Sequence, residues 1–301
     1  MQSALRPPAA PRARGGGLRA PQLRRRAAFR PACKAGGGTA ASNAKRAAAK
    51  AAVDRWVKPG SVVGIGTGEM VNLAVEHLAL RAAKGELPGV VGVPSCAAAA
   101  AEAAFQGLAL SSLEQHPRVD VFIEQANQID VASNAFLKGA RAAPAQPDLP
   151  ALRRLLDASA AVIALAEGGA AVSGRLNAAL PVAVAAEEWE EVAEELDDIF
   201  LGDAELWRRP SEGASNPRGG DNPYVSEDGQ HTIVDVRFYE GLKLFGEDAP
   251  YAAIAEEIDG IPGVLAHGLI VGRAAAAIVA DGATGEVAVT ELEPARAAPP
   301  A

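Results

Sequence analysis

Between Ser61 and Leu78 the chain reads as an apolar run, a glycine-rich turn and a helix. Val62-Val63 leads into Gly64-Ile-Gly-Thr-Gly68, and Val71-Asn-Leu-Ala-Val-Glu-His-Leu78 carries a helical pattern. Glycines let the backbone turn sharply between a buried strand and the helix packed on it. The turn also aims the N–H groups of the helix start at one point, where an anion such as a phosphate is held. The same geometry serves equally as a tight βα connection with no ligand. Glu69 and Met70 follow the last glycine, which puts a negative charge where a phosphate would sit.

Strands and helices alternate along the first half of the chain, with no internal sequence repeat. A helix is expected after an N-cap at Ser42 or Asn43, ending at Pro59-Gly60. Buried strands are expected at 90–93, 119–123 and 161–165, with a short one at 108–110 and helices at 96–106 and 152–159. Strands alternating with helices predict an α/β fold, a doubly wound and mostly parallel sheet. From about Leu180 the character changes to a strand at 182–184, an acidic amphipathic helix at 187–196 and a polar loop at 210–222. A hairpin is expected to pair 224–225 with 232–238 across Glu227-Asp-Gly229, before a helix at 251–258 and strands at 269–271, 276–279 and 286–289. This predicts a smaller inserted α+β domain of ferredoxin-like type. The expected boundaries are 1–42 for a disordered leader, 43–178 plus 267–291 for the α/β body, 179–266 for the small domain, and 292–301 for a disordered tail.

Charge is partitioned unevenly. Residues 1–53 contain no Asp or Glu and twelve basic side chains. An Arg-rich, acid-free leader reads as an organellar transit peptide, with the chloroplast stroma as the expected address; a mitochondrial leader would look similar. A basic tail binding nucleic acid is the rival reading. Residues 1–42 hold nine of the 29 Lys and Arg and none of the 37 Asp and Glu, so the rest has 20 basic against 37 acidic residues, a formal charge of −17. That disfavours nucleic acid and slows encounter with anions. No apolar run approaches a membrane span. Cys33 lies in the leader and Cys96 is then alone. With four scattered histidines (His77, His116, His231, His267), no disulfide framework and no metal site is expected.

Several stretches together resemble ribose-5-phosphate isomerase of the A type, in its plant and algal plastid form. They are Lys58-Pro-Gly-Ser-Val-Val-Gly-Ile-Gly-Thr-Gly68, Val91-Gly-Val-Pro-Ser95, His116-Pro-Arg-Val-Asp-Val-Phe-Ile123, Phe136-Leu-Lys-Gly139, Leu180-Pro-Val-Ala-Val184, the hairpin at 223–238 and Ile261-Pro-Gly-Val-Leu-Ala-His-Gly-Leu269. The resemblance spans about 44–290. It implies interconversion of ribose 5-phosphate and ribulose 5-phosphate, a step of the pentose phosphate pathway and the Calvin cycle. It also implies no cofactor, a sugar-phosphate ligand, and dimers or tetramers. In the family a carboxylate base moves a proton between two carbons through an enediolate.

Carried over position by position, the family's site is only partly present. The phosphate loop keeps Gly66, Thr67 and Gly68, but Glu69 and Met70 stand for two hydroxyl residues. A carboxylate about 4 Å from a phosphate costs on the order of 1–4 kcal/mol, and Glu69 is expected to fill the anion hole itself. The family's Asp-Gly-Ala-Asp-Glu loop reads Glu124-Gln125-Ala126-Asn127-Gln128: Glu124 keeps an acid, Gln125 replaces a glycine, and the amides cannot act as bases. Lys138 and Gly139 survive, with Ala140 and Arg141 interrupting the glycine run behind them. The base position falls on Pro147, or on Leu152 if five residues are inserted. Asp148 and Asp157 are the nearest acids, and Asp148 is the candidate substitute. The lysine after Glu167 is replaced by Ala170.

The residues that build the fold are kept while those of the site change. The expectation is a plastid family member with impaired or lost isomerase chemistry. The alternatives are a weak isomerase using Glu124, Asp148 and Lys138, a non-catalytic partner of an intact isomerase in a homo- or hetero-oligomer, and a binding module for another metabolite with Arg141 and Glu69 in its pocket.

Overall fold

A computed structural model of the chain describes residues 39–140, 148–211 and 222–294. The described residues all fall in one compact unit. The elements are, in order, α1 (Ala40–Trp56), β1 (Val62–Ile65), α2 (Glu69–Ala83), β2 (Val91–Pro94), α3 (Ala97–Phe105), β3 (Val119–Gln125), β4 (Gln128–Asp130), β5 (Ala135–Leu137), α4 (Leu149–Ala158), β6 (Ser159–Glu167), a 3₁₀ turn (Gly168–Ala170), β7 (Leu180–Ala185), α5 (Trp189–Phe200), β8 (Ala204–Arg208), β9 (His231–Phe238), α6 (Tyr251–Gly260), β10 (Val264–His267), β11 (Leu269–Val271), β12 (Ala274–Ala280) and β13 (Val287–Glu291).

The main sheet runs β13-β12-β6-β3-β1-β2, parallel throughout except for the antiparallel edge strand β13. Side chains alternate across β3: Val121 and Ile123 join the core under α1 and α2, while Phe122 joins the core on the α4 side. That double burial is why the strand reads as an unbroken apolar run. Phe122 also fixes β1: a Cβ on Gly64 would lie 2.7 Å from its ring, so only glycine fits there. Ala44, Ala48, Ala49 and Ala52 of α1 are all buried, and their small size lets α1 settle on α2 and the sheet.

The second sheet, β10-β7-β9-β8, is antiparallel. With α5 and α6 it follows the order β-α-β-β-α-β, the ferredoxin-like arrangement expected for this segment. A third sheet, β11-β5-β4, takes two strands from between β3 and β6 and one from between β10 and β12, and Lys138 follows its strand β5 directly.

Local expectations fail where long-range pairing decides. The first helix begins at Ala40, upstream of the expected caps, because the Thr39 hydroxyl accepts the Ser42 N–H. The partner of β9 in the hairpin is β8, not 224–225; Tyr224 instead donates its N–H to the Arg209 carbonyl at 2.7 Å. Residues 108–110 contribute one bridge, Leu110 to Gly92, and no strand. The Pro-rich loop with Arg141 and Pro147, most of the loop at 210–222, the leader up to residue 38 and the tail from 295 lie outside the described residues.

Candidate functional site

The carboxyl ends of β1 and β3 bring the glycine turn beside Glu124 and Gln125. Glu124 is buried, and its carboxylate lies flat against Gly66: a Cβ there would stand 2.5 Å from both carboxylate oxygens. Glu124 Oε1 accepts the N–H of Thr67 at 3.0 Å and that of Gln125 at 2.8 Å. The third contact of this oxygen is the Lys138 ammonium at 2.6 Å. Lys138 comes from the loop after β5. Its own N–H donates to Gly268 O at 2.8 Å, holding the backbone in place. Its Nζ also donates to Thr67 O at 2.7 Å and to Gln125 O at 3.0 Å. An ammonium has three protons; two are donated to these carbonyls, and the Glu124 carboxylate pairs with the charge. Gly66, Thr67, Gly68, Glu124, Lys138 and Gly139 thus lie together in one network.

Glu69 is not in the anion hole, contrary to the expectation. Its side chain is 60% exposed and turns outward to the Lys45 ammonium of α1 at 2.7 Å, which also reaches Glu167 at 3.0 Å. The Glu69 carboxylate, ahead of Glu167, holds Lys45 above its ordinary pKa. The hole is filled by Gln125. Its Oε1 accepts the Met70 N–H at 2.8 Å, at the start of α2. A Cβ on Gly68 would lie 2.8 Å from Gln125 Cβ and closer still to Oε1, so the carboxamide is pressed onto the turn. The partial positive charge of the helix start meets a neutral amide oxygen. The backbone swing at Gly68, φ 129°, is open to glycine.

The remaining amides of the second loop brace structure. Asn127 Oδ1 accepts the N–H groups of Gly139 and Ala140 at 2.8 and 3.2 Å. Gln128 Oε1 accepts those of Asn177 and Ala178. From the small sheet, Arg209 and Asp235 form a buried pair, and Arg209 Nη2 donates to Gly139 O at 2.8 Å. Neither member was picked out from the sequence, because they meet the Lys138 loop only through pairing of β8 with β9. Lys45 was missed for the same reason: it lies on a helix 24 residues away from Glu69.

The base positions resolve unevenly. Leu152 is a buried core residue beside Leu149, Leu155 and Leu156. Asp148 caps α4, accepting the Ala151 N–H at 2.8 Å. Asp157 pairs with Arg273 at 3.2 Å. Ala170 sits in the 3₁₀ turn. No group of three or more His, Cys, Asp or Glu able to hold a metal occurs among the described residues, and no helix there is long and apolar enough to cross a membrane.

Comparison with known proteins gives one consistent result. The family model for ribose 5-phosphate isomerase A (phosphoriboisomerase A) matches residues 91–284. Ribose-5-phosphate isomerase A of Synechococcus sp. (strain JA-3-3Ab) is 34% identical over 242 residues, covering 80% of this chain and 94% of that one. A protein of Arabidopsis thaliana named "Probable ribose-5-phosphate isomerase 3, chloroplastic" is 30% identical over 239 residues, covering 78% and 79%. Among solved structures, ribose 5-phosphate isomerase from Plasmodium falciparum superposes with a TM-score of 0.70 at 22% identity, covering 84% of this chain and 99% of that one. The enzyme from Methanocaldococcus jannaschii superposes at 0.67 and 23%, covering 83% and 99%.

Proposed function

The chain belongs to the ribose 5-phosphate isomerase A family, and from that membership we propose that it keeps the family fold while its isomerase chemistry is impaired. One observation carries the reading: the site is saturated by its own side chains. Lys138 is held by two backbone carbonyls and its charge is paired with Glu124, and Gln125 occupies the cradle a phosphate needs. At the ungapped base position stands Pro147; at the gapped one stands Leu152, packed in the core. Loss of a general base costs about 10²–10⁴ in rate.

The acid-free, Arg-rich leader and the likeness to a protein named chloroplastic support a plastid address. With the fold intact, the role that fits is a subunit or regulator assembling with an intact isomerase, itself binding sugar phosphate weakly or not at all. A residual isomerase is favoured by one contact only, the 2.6 Å approach of Lys138 to Glu124, which puts an acid and a cation side by side.

The test is a coupled assay of ribulose 5-phosphate formation by the full chain, alone and mixed with an intact family member. The expected result is a rate at least a hundredfold below the intact enzyme for the chain alone, and an altered rate for the mixture. A rate within tenfold of the intact enzyme would overturn the proposal.

A further inference from the structure

A second cleft lies away from the glycine turn, between α4, α6, β10 and β11, with a volume of about 180 Å³. That is below the roughly 300–1,000 Å³ of pockets for drug-sized ligands, so it suits a small metabolite. One wall is aliphatic and includes Leu152, Leu156, Leu269 and Ile270. The rim is ionic and balanced. Arg153 is fully engaged by Asp259, with contacts of 2.5 and 2.8 Å. Asp157 and Arg273 form a looser pair at 3.2 Å, with side chains 62% and 30% exposed.

Into this cleft points His267, whose side chain is only 5% exposed. Its Nδ1 accepts the Leu269 N–H at 3.2 Å, so the ring proton of the neutral imidazole sits on Nε2. Nε2 faces the Asp259 carboxylate at 3.3 Å, close enough for charge attraction but out of line for a well-formed hydrogen bond. A buried N–H accepted this poorly costs free energy that a better-placed acceptor recovers.

We propose that this cleft binds a small aliphatic α-amino acid. A zwitterion matches the rim in kind: its carboxylate replaces Asp157 on Arg273 and accepts the His267 Nε2–H, while its ammonium goes to Asp157. The exposed Asp157–Arg273 pair it interrupts is worth little in water, about 0–1 kcal/mol. An aliphatic side chain covers the leucine wall, which a polyol would leave unused. Carrying no net charge, the ligand is not repelled by the acidic body of the protein. The cleft shares none of the residues of the glycine turn, though Leu152 of its wall is also the gapped base position of the isomerase reading.

Calorimetric titration of the full chain with L-leucine tests it, with isovalerate and isopentylamine as probes carrying one charge each. Saturable binding of L-leucine is expected, with both single-charge probes at least tenfold weaker. His267→Phe should weaken L-leucine about tenfold, the scale of one hydrogen bond to a charged group. Asp157→Asn, at an exposed position that leaves the fold intact, should weaken L-leucine and, by freeing Arg273, tighten isovalerate. Arg273 also donates to the Leu156 carbonyl and so helps hold α4, which makes Asp157→Asn the cleaner variant. Absence of saturable binding, equal affinity for isovalerate, or an affinity unmoved by both variants would overturn the proposal.

Discussion

Gln125 Oε1 accepts the Met70 backbone N–H at 2.8 Å, which places a carboxamide from the end of β3 at the first turn of α2. The position is the one an anion takes at a helix start following a glycine turn. Met70 itself is fully buried beneath it, so the helix end is fixed and only the Gln125 side chain can yield.

Gln125→Gly should therefore open the cradle. Titration with ribose 5-phosphate is expected to give measurable binding in this variant and none in the parent. Glu69→Ser combined with Met70→Thr should not do so alone, because Glu69 already points away, to Lys45. Binding gained by the double variant and not by Gln125→Gly would reverse the assignment.

The Lys138–Glu124 pair is enclosed, with side chains 9% and 1% exposed. Removing one partner strands a buried charge, and Lys138→Met is expected to cost about 3–5 kcal/mol. Glu124→Gln keeps an oxygen for the Thr67 and Gln125 N–H groups and should cost less. The double variant should lose less than the sum of the two, and denaturant unfolding of all four proteins measures the coupling. Strict additivity would mean that the two groups do not interact.

Leu152→Glu installs a carboxylate at one of the two positions where the family's base falls. Because the side chain belongs to the core under α4, the expected outcome is a loss on the order of 3 kcal/mol in stability and no gain in isomerase rate. A rate increase with an unchanged melting curve would show that the position faces substrate.

Asp54 ties α1 to α2 through His77 at 2.8 Å and Arg81 at 3.0 Å, and reaches Lys50 within α1. Burial pushes its pKa up, and the hydrogen bonds from Lys50 and His77 outweigh that and hold it at about 2, against an ordinary 3.8. A depressed carboxyl stabilises the fold fully above its unfolded value. That contribution drains away as pH falls from about 4 toward 2. Asp54→Asn should flatten this part of the acid-unfolding curve. The side chain is 36% exposed, so salt should also weaken the effect.

Much of the body was legible in the chain. The apolar runs at 119–123 and 161–165 are strands because a parallel sheet covered on both faces leaves no polar side to a strand. The helix after the glycine turn follows the same local rules. What escaped is short or distant. The strands β4 and β5 have three residues each, too few to show a period. Strand β8 was not recognised because Ala204-Glu-Leu-Trp-Arg208 mixes charge with bulk, and its identity comes from pairing with β9.

At the site, the sequence by itself determined which groups are present. Lys138 and Glu124 remain, the phosphate loop has lost its two hydroxyls, and an amide replaces a glycine at Gln125. Only the tertiary structure decided which group fills which space. Glu69 stands next to the anion hole in the chain, yet its charge is better served outside, against Lys45. Gln125 is 55 residues from Met70, yet the β1–β3 register sets its carboxamide on Gly68. Adjacency along a chain fixes a backbone position; which way a side chain turns depends on charges and close contacts that arrive from other elements.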